Sequence, residues 1–337
     1  MSRIGIIGTT AWGTTLAIMM ARRGMGVGLW ARTPEEAQRL AQDGENRARL
    51  PGFPFPPGLL VTSSLEEALS GAEMTILAVP SQTMRGNVAQ AHPYLARDTI
   101  LLSAAKGLEV ETGKRMSQAM AEEAPALTDR IAVLSGPNLS QEIARGLPAS
   151  AVAASSNKEV ALQAQRLLMS PVFRVYTSED VVGVELGGAL KNIIALGAGM
   201  SDGLGYGDNA KAALMARGLA EITRLGVALG ANHLTFSGLA GLGDLVATCS
   251  SPLSRNHYVG VELARGRPLQ EVLASMNQVA EGMPTTVAAR RLARERGVEM
   301  PIAEGMYRVL YEGLEVRRAV AELLAREAKP EWWGVGS

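Results

Sequence analysis

The sequence predicts an α/β protein of two domains, a doubly wound sheet at the N-terminus followed by an all-helical domain. Short apolar runs alternate with helical segments through the first half of the chain, and several runs are apolar on both faces, as in buried parallel strands. The strand signal stops after about residue 178. A length of 337 residues also suits two domains. We therefore expect one domain over residues 1–180 and another over residues 181–330.

The predicted strands are short runs dominated by apolar residues. They lie at residues 3–7, 26–30, 60–62, 74–79, 99–103, 131–134, 150–154 and 173–176. Between them, Thr33 predicts a helix N-cap, with Pro34 at the first helical position and Glu36 three residues past the cap. Segment 63–67 repeats this capping pattern. The proline cluster at 51–57 predicts a surface loop, because proline supplies no backbone N–H to a helix or sheet.

Beyond residue 178 the pattern is helical and rich in alanine and leucine. The helical segments lie at residues 181–201, 208–230, 254–265, 284–296 and 315–327. Glycine or proline breaks separate them. The second half of the chain is therefore predicted to contain helices only.

The composition excludes several classes of function. Lys and Arg together number 33, as do Asp and Glu, so no net charge favours nucleic acid or an anionic membrane, although a small anionic ligand stays compatible. The single cysteine, Cys249, cannot form an internal disulfide or a multi-cysteine zinc site. With three histidines in the chain, an all-histidine metal site would need every one of them. We expect no catalytic metal.

The apolar stretch at residues 4–21 has the positive start of a signal peptide but not its composition. It contains several glycine and threonine residues, and Arg22 and Arg23 close it. No run of about 20 apolar residues is present to span a bilayer. We therefore expect a cytoplasmic protein with neither a membrane nor a nucleic-acid partner.

A glycine-containing turn, Gly8-Thr9-Thr10-Ala11-Trp12-Gly13, joins the first predicted strand to the first helix. It keeps two of the three glycines of G-x-G-x-x-G, the strand–turn–helix motif that binds a pyrophosphate through free N–H groups and the helix dipole. Thr10 takes the middle glycine position, where its Cβ adds bulk near the expected diphosphate. The position at the start of a βα series favours dinucleotide binding over the alternative, a plain βα turn.

Arg32 follows the second predicted strand, where NAD-binding sites often carry an acidic residue for the ribose. An arginine fork suits a 2′-phosphate better than a bare diol. Arg32 therefore favours NADP over NAD, and the alternative is a solvated surface arginine.

Two lysines stand among small and apolar residues. Lys106 follows the end of a predicted strand, where ligands bind in open α/β sheets, and Lys191 lies inside an apolar helix. Burial lowers the pKa of a lysine, and a lysine near neutrality exchanges a proton with a carbonyl or alcohol oxygen. Asp244, in a glycine-flanked apolar run, is the candidate partner of a buried lysine. The alternative for both lysines is a structural role, either in a salt bridge or with the ammonium extended to solvent.

Two short polar segments carry the donor groups that hold a phosphate. Ser254-Arg255-Asn256 combines a hydroxyl, a guanidinium and an amide, although Ser254 is equally suited to be a helix N-cap. Ser135-Gly136-Pro137-Asn138 follows a strand end, and a plain turn is its alternative.

Taken in this order, the segments resemble the NAD(P)-dependent glycerol-3-phosphate dehydrogenases of the soluble bacterial type. The resemblance spans nearly the whole chain. The matching segments are Gly8 with Ala11-Trp12-Gly13-Thr14, Lys106-Gly107-Leu108-Glu109, Ser135-Gly136-Pro137, 184–192, 197–203, 217–221, 241–245, Ser254-Arg255-Asn256 and Glu281-Gly282. Thr10 departs from this family where it usually has glycine, Asn138 where it often has threonine, and Ser140 where it often has alanine.

The resemblance implies a Rossmann-like domain followed by a helical substrate and dimerisation domain, working as a homodimer. It implies interconversion of dihydroxyacetone phosphate and sn-glycerol 3-phosphate by hydride transfer with NADP or NAD, supplying glycerol phosphate for phospholipid synthesis. The lysine matching Lys191 is the family's proton donor or acceptor, Lys106 matches a position touching both substrate and cofactor, and Asp244 would orient the lysine.

The remaining implied positions fall into two groups. Substrate-contacting positions are matched by Lys106, Gly136, Asn138, Lys191, Asp244, Ser254, Arg255 and Asn256. Cofactor-contacting positions are matched by Gly8, Ala11, Trp12, Gly13, Arg32, Lys106, Ser140, Arg255, Val279 and Glu281.

Two rival functions stay open on the sequence. A β-hydroxyacid or 6-phosphogluconate dehydrogenase also uses a lysine on the first long helix of its second domain. A dinucleotide-binding sensor without catalysis is favoured by Thr10 and disfavoured by the pairing of Lys191 with Asp244.

Overall fold

The structure, a computed structural model, describes residues 2–276 and 278–331. The described chain forms two compact units. Unit 1 comprises the chain up to Ala105 together with Met116–Val181, and unit 2 comprises Lys106–Arg115 together with the chain from Val182 onward. Segment Lys106–Arg115 interrupts unit 1 in sequence, and its Leu108 is fully buried in the apolar core of unit 2.

Unit 1 is built on a sheet with helices around it. Its strands are β1 (Arg3–Ile7), β2 (Gly26–Trp30), β3 (Glu45–Asn46), β4 (Leu50–Pro54), β5 (Leu59–Thr62), β6 (Met74–Leu77), β7 (Ile100–Ser103), β8 (Ile131–Ser135), β9 (Ala149–Ala154) and β10 (Phe173–Ser178). The large sheet has the order β10-β9-β8-β7-β6-β1-β2-β5, and β3 pairs with β4 separately. β6, β7 and β8 are buried along their whole length, as their apolar sequences predict.

All the strands predicted for the large sheet are confirmed within a few residues at each end. One feature departs from a purely parallel sheet. β9 runs antiparallel to β8, so the last two strands reverse the direction of the rest. The prediction of a loop for the whole proline cluster was wrong, because Leu50–Pro54 forms β4. A two-stranded edge tolerates proline, since N–H groups on its outer side need no partner.

The helices of unit 1 are α1 (Ala11–Arg22), α2 (Pro34–Asp43), α3 (Leu65–Leu69), α4 (Met84–Ala91), α5 (Met116–Glu123), α6 (Ser140–Ala144) and α7 (Lys158–Leu168). Both predicted caps are confirmed, since Thr33 accepts from the Glu36 N–H and Ser64 from the Glu67 N–H.

Unit 2 contains α8 (Val181–Leu204), α9 (Gly207–Ala228), α10 (His233–Phe236), a π-helical turn (Leu239–Gly243), α11 (Asp244–Ser250), α12 (Arg255–Ala264), α13 (Leu269–Ala274), α14 (Gly282–Glu295), α15 (Pro301–Tyr311) and α16 (Val316–Leu324). The prediction of an all-helical second half is confirmed. The sequence patterns missed α10, α11, α13 and α15, of which α10, α11 and α13 are too short to develop a clear 3.6-residue period.

Helix α8 lies at the centre of unit 2. It is the one helix among the described residues that is long and apolar enough to cross a membrane, yet 89% of its most apolar window is buried inside the protein. Its glycines allow neighbouring backbones to approach closely. A Cβ at Gly187 would lie 2.5 Å from the carbonyl oxygen of Ala240, and a Cβ at Gly199 would lie 2.0 Å from that of His257. These contacts bring the π-helical turn and α12 close to α8.

We expect Gly199→Ala to destabilise the protein by about 3 kcal/mol, because the added methyl group meets rigid backbone. Gly305→Ala in α15 is the matched control, since a Cβ there has no neighbour within 4 Å. The control should gain stability, by up to about 1 kcal/mol, through helix propensity. Chemical denaturation measures both, and equal stability of the two variants would contradict the close packing of α8.

Candidate active site

The turn between β1 and α1 requires both of its glycines. Gly8 has φ of 114°, and a Cβ there would lie 2.7 Å from the carbonyl oxygen of Ala78. A Cβ at Gly13 would lie 2.0 Å from the carbonyl oxygen of Gly8. The turn therefore has the tight path and close packing that the first and last glycines of the dinucleotide motif provide.

Thr10 is accommodated at the middle position without strain. Its φ of −66° is open to any residue, and it is the N-cap of α1. Its hydroxyl accepts a hydrogen bond from the Gly13 N–H at 3.0 Å and donates one to the carbonyl oxygen of Ala78 at 2.7 Å. The N–H groups of Ala11 and Trp12 precede the first intrahelical bond and lie at the positive end of the helix dipole. These donors fit the diphosphate of a dinucleotide.

Asn46 holds this turn in place, a role that the sequence did not reveal. The residue is 2% exposed, and its side-chain nitrogen donates to the carbonyl oxygen of Thr9 at 2.9 Å and to the hydroxyl of Thr14 at 2.8 Å. Asn46 lies on β3, which pairs with β4, the strand formed by the first part of the proline cluster.

Arg32 lies just past the end of β2, as predicted, and is exposed. Its backbone N–H donates to the carboxylate of Glu36 at 3.2 Å. The other carboxylate oxygen of Glu36 accepts from the hydroxyl of Thr9 at 2.7 Å. The capping pattern in the sequence predicts a place for Glu36 in the first turn of α2 but does not indicate these two contacts.

Within the described part of unit 1, buried polar atoms without a hydrogen-bond partner lie near the ends of β7 and β8 and in the first turn of α1. The hydroxyls of Ser103 and Ser135, both side-chain polar atoms of Asn138 and the indole nitrogen of Trp12 are buried without a hydrogen-bond partner among the described residues. Gly136 has φ of 137° at the end of β8, and Ser140 begins α6. Buried polar groups in proteins are normally paired, so these atoms suit a bound ligand.

Unit 2 contains a buried group of charges in which Lys106 and Lys191 share one carboxylate. Lys106 Nζ lies 2.6 Å from Asp244 Oδ2, and Lys191 Nζ lies 2.9 Å from Asp244 Oδ1. Asp244 is 1% exposed and Lys191 6% exposed. We call these three residues the charge triad. The sequence predicts a pair between Lys191 and Asp244, and the structure adds Lys106 to the same carboxylate.

Burial and charge act in opposite directions on the triad. Burial lowers the pKa of Lys106 from 10.5 to about 8, although the attraction of Asp244 opposes the change, and the neighbouring Lys191 lowers it further. Burial alone would raise the pKa of Asp244, but the ammonium groups of Lys106 and Lys191 hold it below its usual value. The triad therefore holds a carboxylate and a readily deprotonated lysine at neutral pH.

Thr248 and Asn192 complete the site and were not assigned from the sequence. Thr248 lies one turn after Asp244 on α11, where its hydroxyl donates to Asp244 Oδ1 at 3.2 Å and accepts from Lys191 Nζ. Asn192 follows Lys191 on α8, and its amide donates to the carbonyl oxygen of Lys106 at 3.3 Å. The i,i+4 spacing of Asp244 and Thr248 is the signal that could have identified Thr248.

A chain of amides continues from Asn192 to α14. The side chain of Asn256 donates to Asn192 Oδ1 at 2.9 Å and accepts from the Gly282 N–H at 3.0 Å. Ser254 is the N-cap of α12, since its hydroxyl accepts from the His257 N–H at 3.2 Å. This observation supports the capping alternative for Ser254.

Arg255 extends from the first turn of α12 and is exposed. Its Nη1 donates to the carbonyl oxygen of Val279 at 3.0 Å. Val279 is 46% exposed, and Glu281 lies directly before α14. An exposed guanidinium on a capped helix suits the binding of a phosphate.

Among the described residues, no group of three or more His, Cys, Asp or Glu is arranged to hold a metal ion. Cys249 is buried, and burial raises the pKa of its thiol to about 12, so the residue is not a nucleophile at neutral pH. The chemistry available in unit 2 is proton transfer by lysine and electrostatic stabilisation of an oxyanion.

Two family models match the chain. The model of the NAD-dependent glycerol-3-phosphate dehydrogenase N-terminus matches residues 3–161, and that of the C-terminus matches residues 180–321. A curated relative from Dehalococcoides mccartyi, named glycerol-3-phosphate dehydrogenase (NAD(P)+), is 54% identical over 336 residues, which is 99% of this chain and 94% of the relative. One of the same name from Moorella thermoacetica is 50% identical and covers 96% of each chain.

Solved structures agree with these relatives. The crystal structure of glycerol-3-phosphate dehydrogenase from Coxiella burnetii has a TM-score of 0.92 at 36% identity, covering 96% of this chain and 99% of that one. A structure from Dunaliella salina, titled DsGPDH, has a TM-score of 0.87 at 26% identity, covering 98% of this chain and 62% of that one.

Proposed function

Because the chain belongs to the NAD-dependent glycerol-3-phosphate dehydrogenase family, we propose that it interconverts dihydroxyacetone phosphate and sn-glycerol 3-phosphate. The protein is an oxidoreductase with NAD or NADP as its cofactor. When bound, the nicotinamide supplies or accepts the hydride at substrate C2. The observation that carries the proposal is the charge triad, with two lysines on one buried carboxylate.

Lys191 is the residue that we propose to move the proton. In the reduction, the C2 oxygen of dihydroxyacetone phosphate gains a pair of electrons and takes a proton from Lys191 Nζ. In the oxidation, Lys191 Nζ takes the proton from the C2 hydroxyl as the hydride leaves C2. Asp244 fixes the position of Nζ through a contact of 2.9 Å and compensates its charge. Thr248 accepts a hydrogen bond from the same Nζ and restricts its direction.

Lys106 stabilises the developing negative charge in this proposal, because an ammonium group that water cannot screen acts strongly on a nearby oxyanion. Asn192 and Asn256 hold the Lys106 backbone and α12 relative to α8 through their chain of hydrogen bonds. Substrate contacts by Gly136, Asn138 and Ser254 stay proposals.

Arg255 is the proposed partner of the substrate phosphate. Arg255→Ala should raise the KM for dihydroxyacetone phosphate by about tenfold or more, with a smaller change in kcat, because a charge-assisted hydrogen bond is lost in both ground and transition states. Steady-state kinetics measure the effect, with Arg265→Ala, an exposed arginine after the same helix, as the control. An unchanged KM in Arg255→Ala would remove this residue from the phosphate site.

Lys106 makes the proposed charge stabilisation dependent on pH. Its pKa of about 8 means that the ammonium is present below pH 8 and is lost as the pH rises through that value. We expect kcat/KM for dihydroxyacetone phosphate to fall above about pH 8, and Lys106→Met to lower kcat/KM at pH 7 and flatten this dependence. A pH profile of kcat/KM that is the same in the variant and the unaltered enzyme would contradict the role.

The cofactor site is proposed for unit 1 on the first-turn N–H groups of α1. Gly8 and Gly13 shape the turn, Ala11 and Trp12 present the N–H groups, and Arg32 lies past the end of β2. Cofactor contacts by Lys106, Ser140, Arg255, Val279 and Glu281, implied by the resemblance, stay proposals as well.

The cellular role is proposed in the same way. A cytoplasmic homodimer that supplies glycerol phosphate for phospholipid synthesis fits the family resemblance. We propose residues 1–180 as the dinucleotide-binding domain and residues 181–330 as the helical substrate and dimerisation domain.

One assay tests the proposed function against its rivals. Oxidation of NADPH and NADH is followed by absorbance with dihydroxyacetone phosphate, and reduction of NADP and NAD is followed with 6-phosphogluconate in parallel. Turnover with dihydroxyacetone phosphate alone supports the proposal. Turnover with 6-phosphogluconate alone supports the rival dehydrogenase, and cofactor binding without turnover on any phosphorylated ketone supports a sensor.

A further inference from the structure

The carboxylate of Glu36 is held between two parts of the dinucleotide end of unit 1. Its Oε1 accepts from the Thr9 hydroxyl in the glycine turn at 2.7 Å. Its Oε2 accepts from the backbone N–H of Arg32, just past the end of β2, at 3.2 Å. The carbonyl oxygen of Thr9 is in turn fixed by Asn46. The position of this charge is therefore defined from both sides.

This arrangement is not a helix cap. In a capping box the glutamate would accept from the backbone N–H of Thr33, the N-cap of α2. Only the reciprocal bond is made here, from the Glu36 N–H to the Thr33 hydroxyl at 3.2 Å. The carboxylate reaches instead to Arg32, the second residue after β2, and in a glycine-turn dinucleotide site the end of this strand lies beside the ribose of the adenosine.

We propose that Glu36 determines the choice between NAD and NADP, by accepting from the ribose 2′-hydroxyl of NAD and repelling the 2′-phosphate of NADP. The inference rests on the proposed function, because it concerns the cofactor of that reaction. Each carboxylate oxygen of Glu36 keeps a lone pair for a further donor beside the bond that it already accepts. The ribose 2′-hydroxyl of NAD provides such a donor, whereas the 2′-phosphate of NADP carries a negative charge that the Glu36 carboxylate repels.

Arg32 and Glu36 therefore act in opposite directions. The exposed guanidinium of Arg32 attracts a 2′-phosphate, and the fixed carboxylate of Glu36 opposes it. The net preference for NADP over NAD is set by the attraction from Arg32 and the repulsion from Glu36. Removing either charge should therefore shift that preference strongly.

The test is direct binding of NADPH and NADH by isothermal titration calorimetry to the unaltered protein, Glu36→Gln and Glu35→Gln. Glutamine at 36 keeps an oxygen to accept from Thr9 or Arg32 and removes the charge. Glu35 is the matched control, since it is the neighbouring residue in the first turn of α2 and its side chain is exposed.

We expect Glu36→Gln to lower the Kd ratio of NADPH to NADH by about tenfold, and the shift to shrink as salt is added. Glu35→Gln should leave the ratio within about twofold. A ratio in Glu36→Gln equal to that in Glu35→Gln, with both variants folded by circular dichroism, overturns the inference while leaving the proposed function intact. Failure of the unaltered protein to bind either cofactor overturns both.

Discussion

Lys191→Ala is expected to lower kcat for dihydroxyacetone phosphate reduction by about 10²-fold or more, the usual range for a general acid. Lys191 is 6% exposed, so water has little access to replace its proton. Asp244 keeps Lys106 at 2.6 Å after the change, so no carboxylate is left unpaired and the fold should survive. Steady-state kinetics with saturating cofactor measure the loss.

Lys329→Ala is the matched control for this variant. Lys329 also lies in unit 2, and its Nζ also contacts a carboxylate, that of Glu299, at 3.0 Å. Its side chain, however, is 33% exposed and is not part of the charge triad. The kcat of Lys329→Ala should stay within about twofold of that of the unaltered enzyme, because an exposed ion pair contributes little. Near-normal turnover in folded Lys191→Ala would refute the assignment of Lys191 as the proton donor.

Asp244→Asn is expected to lower the free energy of unfolding by about 3–5 kcal/mol, because it leaves two buried ammonium groups without their shared counter-charge. Activity should fall as well, since Lys191 loses the group that fixes its position. Chemical denaturation and kinetics measure the two effects.

The stability loss in Asp244→Asn should depend on pH in a defined direction. In the unaltered protein the folded-state pKa of Lys106 is about 8, below its ordinary value of 10.5, so stability is gained as the pH rises from 8 toward 10.5. Without Asp244 the pKa of Lys106 falls further, and the gain begins at lower pH. The variant should therefore be less destabilised at about pH 9 than at about pH 7. A deficit that is constant across this range would contradict the charge argument.

The fold of unit 1 was largely predictable because each strand of the large sheet is mostly an apolar run and because α2 and α3 have clear caps. The exceptions have physical reasons. The direction of β9 depends on how its connection crosses the sheet, which apolar composition does not encode. β4 was hidden because proline is usually incompatible with strands, and only an edge pairing tolerates it. Segment Lys106–Arg115 packs with unit 2, and no pattern in the sequence indicates this.

The candidate site was predictable where a charge stands in an apolar context. Lys191 and Asp244 were identified in this way, and they lie 2.9 Å apart. Thr248, Asn192 and Asn46 were not identified, because threonine and asparagine are common at helix surfaces and turns and become informative only when their partners are known. Thr10 has a role that the motif did not indicate, since its hydroxyl caps α1 from within the turn. That its Cβ adds bulk near the diphosphate stays a prediction.

The most direct test of the central claim is the rescue of Lys191→Ala by small primary amines. The kcat for dihydroxyacetone phosphate reduction is measured with saturating cofactor in rising concentrations of methylammonium, ethylammonium and propylammonium. If an ammonium at this position delivers the proton to the C2 oxygen, the rate should rise with amine concentration and saturate, while Lys329→Ala shows no response. A rate that none of the three amines increases would contradict the claim.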